Sequence, residues 1–382
     1  MKQITNLYER FFPTARVLPA GIYHFQSNEG ANGPYRLHLR LEADGEGILI
    51  LNASTVLHLN KTAAEFAYYL VHSYSDDEVS KQMRKRYNVD PEVARKDYDQ
   101  FKSQLDTLIN TPDLDPVTFL DFDQKDLYTA AVSAPYRLDC ALTYLTDEGS
   151  QSYAPVDRVK GELALADWKI ILDNAWKAGI PHVIFTGGEP TLRKDLPEII
   201  AYAEKIGLVS GLMTNGIRLA DMDYTRTLLM NGLDHLTIVL DTENDQAWSA
   251  IRLIMPEDIS VTVHITLTEP VLPEVNSLLD YLVKLGVRNI SLSIGDLALK
   301  EDLKQVSQMV SEKGLKLVWD LPVPYSHLHP VALELAETEV PQGAGKAWLY
   351  VEPDGDVLPA QGVNEVLGNL LNDPWEKIWK KS

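Results

Sequence analysis

The spacing of apolar and polar residues changes twice along this chain. Residues 35–41, Tyr-Arg-Leu-His-Leu-Arg-Leu, alternate one by one, the period of a half-buried strand. Turn residues fill 42–47, and Ile48–Leu51 and Val56–Leu59 give two further strands. From Asn60 the period is helical. One helix is expected over Thr62–His72 with Asn60 or Thr62 as its cap, and a second from Asp76 or Asp77 to Arg86. A third opens at Asp90-Pro91 and runs to Leu108, with proline in the first helical position. Residues 1–110 therefore predict a small sheet followed by three helices. Residues 111–133, opening on Thr-Pro-Asp-Leu-Asp-Pro, read as a linker.

From residue 134 strands and helices alternate. Strands are expected at Arg137–Tyr144, Pro181–Thr186, Leu208–Met213, Leu236–Asp241, Ser260–Leu267, Asn289–Ser293 and Lys316–Asp320. Helices between them close on Gly179, Gly207, Gly232, Gly286 and Gly314. Repeated βα units imply an α/β fold with a parallel sheet, and seven strands make most of a barrel. After Tyr325 the pattern is irregular up to Ala347–Val351; a turn at Asp354-Gly355-Asp356 and a final segment Pro374–Trp379 follow.

The 382 residues are 45% apolar and 24% charged, as in an ordinary globular chain. A net charge of −20 argues against nucleic acid and anionic membranes as partners. No apolar run approaches the roughly 20 residues of a membrane span, and the N-terminus lacks a signal-peptide pattern. A single cysteine excludes an intramolecular disulfide, so a cytoplasmic location is expected.

The candidate chemistry lies at Thr186-Gly187-Gly188-Glu189-Pro190, at the carboxyl end of a barrel strand, where βα barrels place their sites. Paired glycines permit close approach of a ligand, a following helix would offer free N–H groups, and Glu189 could accept from an ammonium group. The plainer reading is a tight strand-to-helix connection. Arg137–Tyr144, Val183–Pro190 with Leu192–Leu196, Met213-Thr214-Asn215-Gly216 and Thr237–Asp241 together resemble the core of the radical S-adenosylmethionine (SAM) superfamily, over about residues 134–320. The resemblance implies a partial (β/α)6 barrel open on one side. It marks Gly187, Gly188, Glu189, Pro190, Thr214 and Asn215 as a residual SAM-type site.

The metal half of that pattern departs from the family. Where the family carries three cysteines for a [4Fe–4S] cluster, this chain has Thr146, Ser150 and Tyr153, or Ser152 for the last with a one-residue gap. Residues 343–362 and the ending resemble the auxiliary-cluster segment called SPASM or twitch, assigned to 326–382. There Gln342 and Ala360 stand in place of cysteines. Replacements this varied favour natural loss. Cys140, inside a strand, reads as a small buried apolar residue. From the sequence, no cofactor and no iron–sulfur cluster are expected, with residual SAM binding as the exception.

Residues 1–110 resemble a PqqD-like peptide-recognition domain of three strands and three helices with a winged-helix-like α+β build, which implies binding of a peptide by strand addition. The basic run Lys81–Arg86 would suit an acidic peptide, or is a solvated helix face. His327 and His329 could sit side by side as metal ligands or lie in an irregular loop. His264 reads as a satisfied core histidine, and Asp139, Asp241 and Asp320 could point into the barrel. The expectation is a cluster-less, peptide-binding or partner-assisting pseudoenzyme of a peptide-modification system, with a peptide or an active maturase as partner. The alternative is an enzyme that uses the open barrel, with Glu189 and barrel carboxylates, for non-radical chemistry on SAM or another small ligand.

Overall fold

The structure, a computed structural model, describes residues 17–27, 35–53, 55–111, 114, 132–147, 153–336 and 340–380. The chain forms two compact units, Met1–Ser133 and Ala134–Ser382.

The first unit holds an antiparallel sheet in the order β1 (Gly21–Ser27), β2 (Tyr35–Leu41), β3 (Gly47–Leu51), β4 (Thr55–Leu59). It has four strands, not three. β1 lies within the stretch expected to be β, but as a half-exposed edge strand with His24 and Gln26 on its open face it has no clear apolar run to delimit it. Alternation turns Leu37, Leu39, Leu49 and Leu57 onto α1 (Lys61–Val71) and α3 (Pro91–Asn110), where Phe66, Tyr98 and Phe101 complete the core. Asn60 caps α1 by accepting from the Ala63 N–H at 3.0 Å. Ser75, rather than Asp76 or Asp77, caps α2 (Asp76–Tyr87), because Glu78 returns a bond to the Ser75 N–H and closes a capping box. In the basic run Lys81, Arg84 and Lys85 are exposed, whereas Arg86 bonds both oxygens of the buried Glu65 at 2.7 and 2.8 Å.

The second unit is an open barrel. β5 (Arg137–Thr143), β6 (His182–Gly187), β7 (Val209–Thr214), β8 (His235–Val239), β9 (Ser260–Leu267), β10 (Asn289–Ile294) and β11 (Lys316–Leu317) pair in parallel and in chain order. The seventh strand is two residues long, because the chain turns away at Asp320, whose φ is +57°. Between the strands run α4 (Leu165–Ala178), α5 (Leu196–Ile206), α6 (Met222–Met230), α7 (Asp245–Ile254), α8 (Val275–Lys284) and α9 (Lys300–Glu312). The segment 326–346 contains one short helix, α10 (Val331–Ala336), among its described residues. β12 (Trp348–Val351) then adds in parallel to β5 and turns back through β13 (Asp356–Leu358) and β14 (Gly368–Asn369) to α11 (Trp375–Trp379).

Alternation along the strands sorts the side chains. Leu138, Cys140, Leu142, Val183, Phe185, Leu212, Ile238, Val263 and Ile290 face the helices and form the large apolar layer. Their neighbours Asp139, Ile184, Met213, Thr237, His264 and Ser291 face the lumen. No described helix is long and apolar enough to cross a membrane.

Candidate functional site

The residues singled out at the barrel's upper end meet in space. The Glu189 carboxylate accepts at Oε1 from the Thr191 N–H (2.9 Å), the Thr191 hydroxyl (2.5 Å) and the Thr214 hydroxyl (2.8 Å), and at Oε2 from the Asn215 N–H (2.8 Å). Burial pushes this carboxyl above the usual range, and the four hydrogen bonds pull against it. Since each carboxylate oxygen offers about two acceptor sites, Oε1 is crowded by three donors and Oε2, with one, keeps room for another.

The paired glycines serve the chain itself. A Cβ on Gly187 would lie 2.1 Å from the Thr143 carbonyl oxygen, and one on Gly188 would lie 2.2 Å from that of Leu145. Those carbonyls accept from the Gly188 N–H (2.8 Å) and the Glu189 N–H (2.7 Å). The turn's N–H groups are thus spent on the loop after β5, as in the plainer reading. The helix expected after the turn is a single 3-10 turn, Pro190–Leu192, with its Thr191 N–H already bonded to Glu189. Pro190 and Thr214 are buried behind the site.

Above Glu189 lies a cavity of about 140 Å³. Its polar wall carries Asp147, Glu189, Asp241, Asn215, Asn244, Ser326 and His327, and its apolar wall Ile217, Val239, Pro324, Tyr325 and Leu328. Asp147 accepts from the Asn215 side-chain amide at 2.6 Å. Three carboxylates on one small cavity suit a cationic guest with an apolar body. Sequence reasoning missed Asp147 and Asn244, and of the 324–328 wall it singled out only His327, as a metal ligand or a loop residue; of those missed, Asp147, next to Thr146, carried a signal that could have been followed.

The remaining candidates are dispersed. Thr146 lines the cavity, Tyr153 is half-buried against the Tyr144–Tyr325–Tyr350 cluster, Gln342 is exposed and Ala360 is buried. Ser150 and Ser152 lie outside the described residues. Beside Tyr153, Arg158 forks onto Glu352 (2.6–3.0 Å), which also accepts from the Tyr144 hydroxyl at 2.9 Å. Cys140 is fully buried in the apolar layer, and burial raises its thiol pKa well above the usual value. His264 is held by the Ser291 hydroxyl (3.0 Å) and the Ser293 hydroxyl (2.9 Å), a satisfied core histidine. His329 pairs with Glu334 at 3.5 Å, and among the described residues no three His, Cys, Asp or Glu side chains gather as a metal site. Asp139 is locked to Arg137 at 2.7 Å inside the lumen, and Asp241 lines the cavity.

The chain is thus an open parallel α/β barrel with an acid-lined cavity over the carboxyl ends of its strands. The Radical SAM superfamily profile matches residues 150–263. The chain is 29% identical over 266 residues to the PqqA peptide cyclase of Methylorubrum extorquens, covering 59% of this chain and 66% of that protein. It is 25% identical over 260 residues to the cyclase of Streptomyces rochei, covering 59% and 69%. The chain thus spans slightly under two thirds of the first of these relatives. Among solved structures, Streptococcus suis SuiB bound to its precursor peptide SuiA superposes with a TM-score of 0.56 at 15% identity, over 93% of this chain and 88% of that one. SuiB bound to SAM gives 0.53 at 16%, over the same shares. The profile match, these relatives and these solved structures together support a radical SAM protein of peptide-maturase type.

This corrects the expectation of a protein without a cofactor: homologues in this superfamily bind SAM and an iron–sulfur cluster. The residues fit the two groups unequally. The cavity's carboxylates suit an ammonium and a sulfonium, Asp241 and Asn244 suit ribose hydroxyls, and Ile217, Val239 and Tyr325 offer an apolar wall to a base. Thiolates, the ligands that hold such clusters, are limited to Cys140, which faces the helices on the far side of its strand from the lumen.

Proposed function

We propose that this chain is a peptide-binding, partner-assisting component of a peptide-modification system, a pseudoenzyme that does not itself carry out radical cleavage of SAM. One observation carries the reading: the only thiol, Cys140, is fully buried in the apolar layer, so the barrel mouth presents carboxylates, hydroxyls and amides instead of soft ligands. Residues 1–110 act as a PqqD-like peptide-recognition domain, 111–133 as the linker, 134–325 as the barrel and 326–382 as a SPASM- or twitch-like segment. The four-stranded antiparallel sheet backed by helices supports the peptide role, because strand addition needs such an edge. The partner is a peptide or an active maturase, met in the cytoplasm.

At the cavity, Glu189 Oε2 and Asp147 orient the amine of a SAM-class guest, and Asp241 with Asn244 orients its sugar. SAM bound there supplies a sulfonium-activated carbon; this chain contributes binding and orientation. The test is anaerobic incubation with SAM and dithionite, read as 5′-deoxyadenosine by chromatography, beside a pull-down with peptides encoded next to the gene. Peptide capture without 5′-deoxyadenosine is expected. Stoichiometric 5′-deoxyadenosine would reverse the reading.

A further inference from the structure

The barrel lumen is already filled, and by the chain itself. After β11 the backbone does not continue up the outside of the sheet. It turns at Asp320 and runs through the open barrel as an extended strap, residues 320–328. At the lower end the Arg137 guanidinium donates to the Asp320 carbonyl at 2.5 Å while paired with Asp139. Halfway up, the Thr186 hydroxyl donates to the Pro322 carbonyl at 3.0 Å and the Gln361 amide to that of Val323 at 2.7 Å. At the top the Tyr325 N–H donates to the Gly187 carbonyl at 2.8 Å. Leu321 and Val323 pack on the lumen-facing Ile184, Met213 and Val239, and Tyr325 enters the aromatic cluster with Tyr144.

Every feature of this seat is one a peptide ligand uses. Carbonyls are met by fixed donors, alternate apolar side chains enter the wall, and two prolines keep the segment extended. Yet the strap belongs to no helix or named strand, and its Tyr325 N–H is its one backbone N–H bonded to a barrel strand. We infer that the strap is a built-in occupant of a peptide groove in the barrel lumen, and that an extended Leu-x-Val-x-Tyr-type segment enters only when the strap leaves. The same strap supplies Pro324–Leu328 to the cavity wall, so release opens lumen and cavity together. The peptide character of the incoming segment rests on the proposed function; the displaceable strap does not.

The test uses the full chain and the strap's own sequence as probe, a fluorescein-labelled Asp-Leu-Pro-Val-Pro-Tyr-Ser-His-Leu peptide. A variant with residues 321–325 replaced by Gly-Ser-Gly-Ser-Gly lacks the side chains and prolines that seat the strap. A groove occupied nine-tenths of the time weakens apparent affinity about tenfold. Anisotropy is therefore expected to show binding to the variant at least about tenfold tighter than to the wild type. Equal binding by both, or no binding by a variant with a native circular dichroism spectrum, overturns the inference. If the variant does not fold, hydrogen exchange of the wild type decides. The Tyr325 amide is expected to exchange well before the Leu212 amide of β7, and equal protection of the two overturns it. No partner or SAM is needed, so a failure of the proposed function leaves this result readable.

Discussion

Substituting Gly188 by alanine tests what the glycine-rich turn is for. The added Cβ would stand 2.2 Å from the Leu145 carbonyl oxygen, 2.9 Å from its carbon and 3.0 Å from that of Tyr144. All three are backbone atoms, so no side chain can swing aside. Overpacking of this kind costs about 1–3 kcal/mol. Relief requires β6 and the loop after β5 to part, which loses the Gly188–Thr143 and Glu189–Leu145 bonds at 2.8 and 2.7 Å. At about 1 kcal/mol for each bond, the total is about 3–5 kcal/mol. A unit of this size loses about 2–4 °C of melting temperature per kcal/mol, so a fall of about 6–20 °C is expected in a thermal scan followed by circular dichroism. A midpoint within about 2 °C of wild type, together with lost SAM binding in calorimetry, would refute the reasoning. The glycine would then serve a ligand and not the fold.

Further outcomes follow from buried groups. His264 is fully buried with its pKa lowered to about 3 by desolvation and the nearby His329, against 6.5 when unfolded. Its stability contribution is therefore complete above 6.5 and is lost as pH falls; urea titrations should show about 3 kcal/mol lost from this group between pH 6.5 and pH 4, and His264→Asn should flatten that slope. Glu352→Ala strands Arg158 and Tyr144 and should cost about 3–5 kcal/mol in the same titration, whereas a change under about 0.5 kcal/mol would show the pair to be idle. Cys140 should resist a thiol reagent such as Ellman's until the chain unfolds, because burial keeps it protonated and out of reach; stoichiometric labelling of the native protein would contradict its placement.

Most of the fold was legible because two periods carry it. Residue-by-residue alternation marked β2, and the barrel strands stood out as short apolar segments between helices that close on glycine. What escaped was set by tertiary context. β1 is an edge strand with polar residues on its open face. α7 is capped by Asn244, whose side chain accepts from the Gln246 and Ala247 N–H groups, and no glycine closes it as one closes its neighbours. The strap follows a strand pattern through Trp319 but leaves the sheet at Asp320, and nothing local says that Val323 will enter the lumen. The site was half legible. Glu189, Thr214 and Asn215 converge and Gly188 lines the cavity, while the close approach of Gly187 and Gly188 to the carbonyls of Thr143 and Leu145 is something no linear motif reveals.

The proposed role is binding and assistance without cleavage of SAM. It is tested most directly by anaerobic incubation of the full chain with SAM and excess dithionite, with 5′-deoxyadenosine quantified against time. The lone, buried Cys140 predicts no product above the protein-free control. One equivalent or more of 5′-deoxyadenosine per chain would contradict the account.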